Sequence, residues 1–377
     1  MKHQFRLTMN SSELFVDNIS NTTGDNEENL WDIQFAIYVI CNPVVITFGY
    51  IGNIATAIVL WQSKMASITN LFLRALVVSD MALVTFASLG MTLPTLVTKL
   101  VNKDLGIHVI IPHGFKAIDY LTMTSQLCNV YVVVFVAIER YIAICHPMKH
   151  VYIHSKTKVL SSIAGILIFA VCYNLPRVAS TEIALTSCFD EKYPYDCFEI
   201  RNTDFGSTFS YKSVYAVWMY TVVCFGIPIL TLMVLNIMIL RKLSEMRIRR
   251  RTLEAYTSRV KKDNTTIVIV LIVTVFTICQ TLGFLNQFQY LIDDTKDNAS
   301  VQTNITVIIN FLFMINSSTN FIIYICVGRK FRQVFMQTFC SKKWNCRASC
   351  CCSCCCWSTR AYDISNVSLK KLHVDKF

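Results

Sequence analysis

The sequence predicts an all-α membrane protein: a seven-transmembrane helix bundle followed by a short cytoplasmic amphipathic eighth helix. Three observations carry that expectation. Of 377 residues 54% are hydrophobic, and they lie in long blocks, the composition of a polytopic membrane chain and not of an ordinary soluble domain. Seven of those blocks have the roughly 20 residues that span a bilayer. The segments between the blocks alternate between basic and acidic, as the positive-inside rule requires of loops on opposite sides.

Residues 1–34 read as an extracellular tail, with Glu13, Asp17, Asp25, Glu27, Glu28 and Asp32 against Lys2 and Arg6. No short apolar core follows the basic start, so no cleavable signal peptide is expected and the first span does the targeting. The spans fall at about 35–61, 70–97, 113–145, 159–176, 213–240, 265–291 and 305–327, a bundle over 35–327. After the fifth span come Arg241, Lys242, Arg247, Arg249, Arg250, Arg251, Arg259, Lys261 and Lys262, which place that loop in the cytosol. By contrast 177–212 carries Glu182, Asp190, Glu191, Asp196, Glu199 and Asp204, and 292–304 carries Asp293, Asp294 and Asp297. Those segments belong outside with the N-terminus. Glycosylation sequons at Asn10, Asn18, Asn21, Asn298 and Asn304 share that face; those at Asn264, Asn316 and Asn366 do not. The net charge of +11 comes from loops beside membrane helices, so positive-inside topology accounts for it and nucleic acid is not an expected partner.

Beyond the seventh span, Phe331, Val334, Phe335, Thr338 and Phe339 recur at three- and four-residue steps beside Arg329, Lys330 and Arg332. This pattern predicts an amphipathic helix over 328–340 lying on the inner leaflet. The tail, 341–377, is Cys-rich. Cys340, Cys346, Cys350, Cys351 and Cys352 lead a run that continues to Cys356. Juxtamembrane thiols are targets of reversible palmitoylation, whereas zinc sites space their ligands as paired CxxC units. Cys188 and Cys197 lie in the long external loop, an oxidising compartment that favours a disulfide, and a local bridge between them is expected.

Charge inside a span is costly and marks a functional hypothesis. Ala137 to Ala143 reads Ala-Ile-Glu-Arg-Tyr-Ile-Ala, so Glu139, Arg140 and Tyr141 stand where an apolar run from Leu127 to Ile138 reaches the cytosol. An interfacial Arg that snorkels to the headgroups is the plainer alternative. Asp80, with Asn53, Asn129, Asn316, Ser317 and Asn320, is expected to form a central polar cluster, because lipid cannot solvate such groups. That cluster is either purely structural or built around one buried Asp that is protonated or holds a cation, with sodium the natural candidate. Asp119 stands 21 residues before Arg140, about 30 Å along a helix, and so lies near the outer mouth. Gln126, Gln280, Asn286 and Gln287 extend that polar lining as candidate ligand contacts.

Gly52-Asn53, Leu76 to Asp80, Glu139-Arg140-Tyr141, Pro228, Phe276 with Cys279, and Asn320 to Tyr324 followed by Lys330-Phe331-Arg332 resemble, helix by helix, the signature positions of rhodopsin-like (class A) G-protein-coupled receptors. Within that family Glu139 to Pro147, Tyr173 to Arg177 and Ile315 to Tyr324 look like invertebrate FMRFamide-type neuropeptide receptors. The resemblance covers about 35–340. It implies that Arg140 meets the inserted G-protein helix, that Asp80, Asn129, Ser317 and Asn320 form a sodium-linked cluster, and that Asn320 and Tyr324 act as a seventh-helix switch. Five positions depart from the family pattern. Phe115 replaces the third-helix cysteine, Gln280 and Leu282 replace the sixth-helix tryptophan and proline, Phe321 replaces the seventh-helix proline, and Asn236 replaces the fifth-helix tyrosine.

The expected function is therefore a plasma-membrane receptor for a cationic, amidated neuropeptide that activates heterotrimeric G proteins, with arrestin, a receptor kinase and membrane lipid as further partners. No cofactor or enzymatic activity is expected. A class A receptor for a non-peptide or chemosensory ligand is the alternative. A transporter would show internal repeats around broken helices, and none is apparent. Retinal binding would need a lysine within 305–327, which has none, and an amine receptor would place its carboxylate where this chain has Thr122.

Overall fold

The computed structural model describes residues 33–100, 111–153, 155–186, 197–253, 265–292 and 299–339. Within them seven helices are long and apolar enough to cross a membrane: Ile33–Leu60, Asn70–Thr98, Ile111–Cys145, Lys156–Ser180, Ser210–Met246, Val268–Gln287 and Asn304–Val327. Val44, Ile51, Val78, Ile168 and Leu230 lie exposed on their outer faces, where a lipid-facing bundle presents apolar side chains. The chain divides into two compact units, Met1–Val334 and Phe335–Phe377. Several expected sites lie outside the described residues: the N-terminal tail with Asn10, Asn18 and Asn21, then Cys188, Asn298, and the tail cysteines Cys340, Cys346, Cys350, Cys351 and Cys352. Cys197 is described only as the first backbone position of a strand.

Prolines shape three of the spans. Pro43, Pro94 and Pro228 each follow a π-helical stretch, at Ala36–Cys41, Ser88–Thr92 and Thr221–Gly226. A proline has no N–H to donate and its ring crowds the carbonyl four residues back; widening the preceding turn relieves the conflict without breaking the helix. A further π stretch, Ser210–Met219, opens the fifth span. The third span is α-helical from Ile111 to Cys145. It packs against the second, fourth and fifth spans and forms the axis of the bundle.

Small residues set the closest approaches. Gly49 and Gly52 of the first span face Ser318 and Phe321 of the seventh; a Cβ at Gly49 would overlap the Ser318 hydroxyl, and one at Gly52 would sit 3.0 Å from the Phe321 Cβ. The apolar core between the third, fourth and fifth spans gathers Leu127, Ala170, Cys224, Phe225 and Ile229. At one end Arg74 donates to the Leu60 carbonyl through Nε at 3.1 Å and Nη2 at 2.8 Å, satisfying the last turn of the first span.

Several element ends differ from expectation. The fourth span does not stop at Pro176 but continues through it to Ser180. Beyond it the acidic loop forms an antiparallel hairpin, β1 (Thr181–Thr186) with β2 (Cys197–Asn202), in register from Thr181 opposite Asn202 to Thr186 opposite Cys197. Thr203 fastens this hairpin to the fourth span, donating from N to Ser180 O at 3.0 Å and from Oγ1 to Ala179 O at 2.8 Å. His113 meets Phe198 edge-on at 4.4 Å, which joins β2 to the third span. The basic loop after His146 is helical over Pro147–Ile153, with Pro147 at a first-turn position that needs no N–H partner.

The eighth helix runs Arg329–Phe339. Arg332 Nη1 donates to Ile325 O at 2.9 Å and Cys326 O at 3.1 Å, which caps the seventh span. Phe331 and Val334 are buried, and Phe331 stacks on Tyr324 with ring centroids 5.2 Å apart. In the second unit Phe335 and Phe339 pack ring to ring at 4.8 Å.

Candidate functional site

Polar groups inside the bundle fall at three levels of the third span. At mid-bundle lies Asp80, 1% exposed. Asn129 Nδ2 donates to Asp80 Oδ1 at 2.7 Å and Asn320 Nδ2 to Asp80 Oδ2 at 2.7 Å, so one carboxylate ties the second span to the third and seventh. Asn129 also donates to Ser79 Oγ at 3.1 Å, and Asn53 donates to the Ser317 carbonyl at 3.0 Å, adding the first span. Asn316 is buried nearby but makes no bond to the Asp80 carboxylate among the described residues.

The donor set suits a small cation. Asn53 Oδ1 is buried without a hydrogen-bond partner among the described residues, and the Ser317 side chain stands beside the Asp80 carboxylate. Orphaned buried oxygens require an account, and a hard cation beside a carboxylate takes oxygen ligands.

At the end beside Pro147–Ile153, Glu139 and Arg140 are both buried. Arg140 Nε lies 3.3 Å from Glu139 Oε2, and His150 Nε2 lies 3.3 Å from Glu139 Oε1. The Glu139 carboxylate thus sits between its sequence neighbour and the loop helix. Tyr141 packs edge-on against His146, its hydroxyl 3.3 Å from His146 Nε2. Tyr324 is buried, and its hydroxyl has no hydrogen-bond partner among the described residues.

Near the hairpin, Asp119 meets Arg177 of the fourth span. Arg177 Nε is 3.4 Å from Asp119 Oδ2, with side-chain exposures of 3% and 13%. The Arg177 guanidinium also lies over Tyr220, 5.9 Å from the ring centroid. Around it Tyr215 donates to Tyr173 O at 2.7 Å and stacks on Tyr211 at 5.3 Å. Of the other expected lining residues, Asn286 donates to Thr306 Oγ1 at 3.2 Å and joins the sixth and seventh spans. Gln280 is buried with its Oε1 unpaired among the described residues, while Gln126 and Gln287 are half-buried. Asn304 stands within the helix Ala299–Val327 with its Oδ1 buried, not in a loop.

Residues 52–324 match the model of the family described as 7 transmembrane receptor (rhodopsin family). The chain belongs to that family. It is a family of receptors and not of enzymes. Among curated relatives of this rhodopsin-family receptor, the FMRFamide receptor of Drosophila melanogaster is 27% identical over 314 residues, 82% of this chain and 55% of that protein. The FMRFamide peptide receptor frpr-18 of Caenorhabditis elegans is 28% identical over 305 residues, 78% of this chain and 67% of that protein. The Substance-P receptor of Mus musculus is 23% identical over 177 residues, 45% of this chain and 40% of that protein. The chain spans little more than half the length of the Drosophila relative.

Two charged partners at these levels are not marked as such in the sequence. The hydropathy pattern places Arg177 beyond a span ending at Pro176, whereas the helix that runs through the proline turns it inward. His150 carries no sequence signal beyond its place in a basic loop, and only the helical turn of Pro147–Ile153 brings it to Glu139.

Proposed function

We propose that this rhodopsin-family receptor is a plasma-membrane receptor for a cationic, amidated, FMRFamide-like neuropeptide and that it activates heterotrimeric G proteins. The observation that carries the reading is the placing of two charged sites at opposite ends of one uninterrupted helix, Asp119 near the hairpin and Glu139-Arg140 at the other end. The peptide class draws support from the names of the Drosophila and Caenorhabditis relatives. The acidic hairpin side faces outward in this reading, with the N-terminus, and the basic loops face the cytosol. Acidic loops raise the local concentration of a cationic peptide and speed its encounter. Asp119 then accepts the ligand's guanidinium, whose planar fork suits a carboxylate.

On the cytosolic side Arg140 meets the G protein, and arrestin and a receptor kinase would dock on the same face. Between the two ends, Asp80 and Ser317 would hold a sodium ion, which supplies a positive charge to offset the buried carboxylate. Asn320 and Tyr324 couple that level to the inner end of the seventh span.

A panel of amidated neuropeptides applied to transfected cells, with calcium and cyclic-AMP readouts, tests the reading. Cationic amidated peptides should give the strongest responses. Removing one member of a buried charge pair costs about 2–5 kcal/mol, so Asp119→Asn should weaken an Arg-containing agonist more than tenfold. Changes at the rim acids Glu199 and Asp204 should have modest, salt-sensitive effects. Unchanged potency in the Asp119→Asn receptor, or a best agonist without positive charge, would overturn the assignment.

A further inference from the structure

We infer that Arg177 is an internal counter-ion that competes with the ligand for Asp119 and thereby sets how strongly the receptor selects a cationic ligand. The inference rests on the reading that Asp119 receives the ligand's cationic group.

The Asp119–Arg177 pair is attractive in charge but poor in geometry. Its Nε–Oδ2 separation of 3.4 Å is an ion-pair contact and not an aligned hydrogen bond, and Arg177 Nε and Nη2 are both buried without acceptors among the described residues. Desolvating two charges is repaid only where close contact and hydrogen bonds satisfy them. This pair leaves donors unsatisfied, so its hold on Asp119 is weaker than the carboxylate can support. Arg177 has little freedom to improve it. Its helix end is fastened by Thr203 to Ala179 O and Ser180 O, and Gly206 lies so close to the Ser180 carbonyl that no Cβ would fit. Tyr220 confines the guanidinium from another side.

Asp119 is the more accessible partner, at 13% exposure against 3% for Arg177. An arriving guanidinium can present aligned, parallel donors to the carboxylate, which the skewed Nε contact from Arg177 does not. Its gain is nevertheless only a difference, because Arg177 already offsets the charge of Asp119. A neutral ligand group meets no such competition. Removing the Arg177 charge therefore strengthens cationic ligands selectively, whereas a merely structural role for Arg177 would move charged and neutral ligands together.

The test measures binding to receptor-containing membranes of two probes, N-acetylated and amidated Phe-Met-Arg-Phe and the same blocked peptide with citrulline, the neutral isostere of arginine. In Arg177→Gln the affinity ratio of charged to neutral peptide should widen at least tenfold over wild type, through tighter binding of the charged peptide, with the neutral one changed less than about threefold. Arg177→Lys keeps the charge and should keep the ratio within about threefold. Arg177→Met, which fills similar volume, should widen the ratio in the same way and serves if the Gln variant does not reach the surface. An unchanged or narrowed ratio, or a parallel loss for both peptides, overturns the inference. Asp119→Asn separates the two possible failures. If its ratio equals that of wild type, Asp119 does not meet the cation and the underlying reading falls; if it collapses the ratio while Arg177→Gln leaves it unchanged, only the competition falls.

Discussion

Glu139→Gln should raise ligand-free G-protein activation about tenfold. The carboxylate lies 3.3 Å from Arg140 Nε and 3.3 Å from His150 Nε2, and the Glu139 and Arg140 side chains are only 9% and 10% exposed. At that separation and an effective dielectric constant of about 20, the gross attraction between Glu139 and Arg140 is about 5 kcal/mol. Desolvation takes back a large part of it, leaving on the order of 1–3 kcal/mol. Glutamine keeps the shape and one acceptor oxygen but removes the charge. Only the share of the attraction that differs between resting and active states shifts their balance; about 1.4 kcal/mol of such difference is tenfold in the active population. Nucleotide exchange on purified G protein, measured without ligand in membranes matched for receptor density, reads that population directly. A basal rate within twofold of wild type would refute the claim that Glu139 restrains Arg140.

Arg140→Ala should abolish agonist-driven exchange while surface expression, followed by flow cytometry, stays close to wild type; full signalling by a well-expressed variant would sink the assignment. Asp80→Ala removes two 2.7 Å bonds to a buried carboxylate, each worth about 1.5–3 kcal/mol, so the thermal midpoint of the solubilised receptor should fall by about 6 °C or more at 2–4 °C per kcal/mol. An equal or higher midpoint would show that the cluster does not stabilise the resting bundle. The tail thiols of Cys340, Cys346, Cys350, Cys351 and Cys352 should carry hydroxylamine-sensitive acyl groups in intact cells, each chain adding about 0.8 kcal/mol of membrane affinity per buried CH₂. An unlabelled tail refutes acylation, and stoichiometric zinc in the isolated segment would favour metal binding.

The spans were legible because hydropathy over about 20 residues is a sum, and a sum tolerates local irregularity. Their ends and internal register were not, because those depend on single backbone groups. Pro176 lies inside a helix that continues to Ser180, although the bare rule for proline predicts a stop. Pro43, Pro94 and Pro228 sit within spans and announce distortion, yet whether a turn widens into a π segment or breaks is decided by neighbouring helices. The strand pair Thr181–Thr186 and Cys197–Asn202 leaves little trace in the sequence because its six-residue strands carry mixed charge and no clean alternation. Asp80 was legible as an intramembrane carboxylate in need of donors, and the donors are Asn129 and Asn320, two of the amides available. Arg177 and His150 were not, since an ion pair between separate helices is written in their packing and not in the spacing of either residue.

The three polar levels share one uninterrupted α-helix. Asp119, Asn129 and Arg140 all stand on the third span, which is α-helical from Ile111 to Cys145, whereas the first, second and fifth spans each contain a π stretch. The partners differ at each level: Arg177 of the fourth span, Asp80 of the second span with Asn320 beyond it, and the loop helix bearing His150, reached through Glu139. An axial shift or rotation of the third span that improves contacts to Asp119 must therefore also change the 2.7 Å bond from Asn129 to Asp80 and the geometry between Glu139 and His150. Short hydrogen bonds in a packed interior have few intermediate settings, because the surrounding core repacks between discrete arrangements and does not deform continuously. On the proposed reading, occupancy of Asp119 by a ligand in place of Arg177 and freedom of Arg140 from Glu139 are two readouts of one helix position, and the unbroken α-helix between them is what lets the first bias the second.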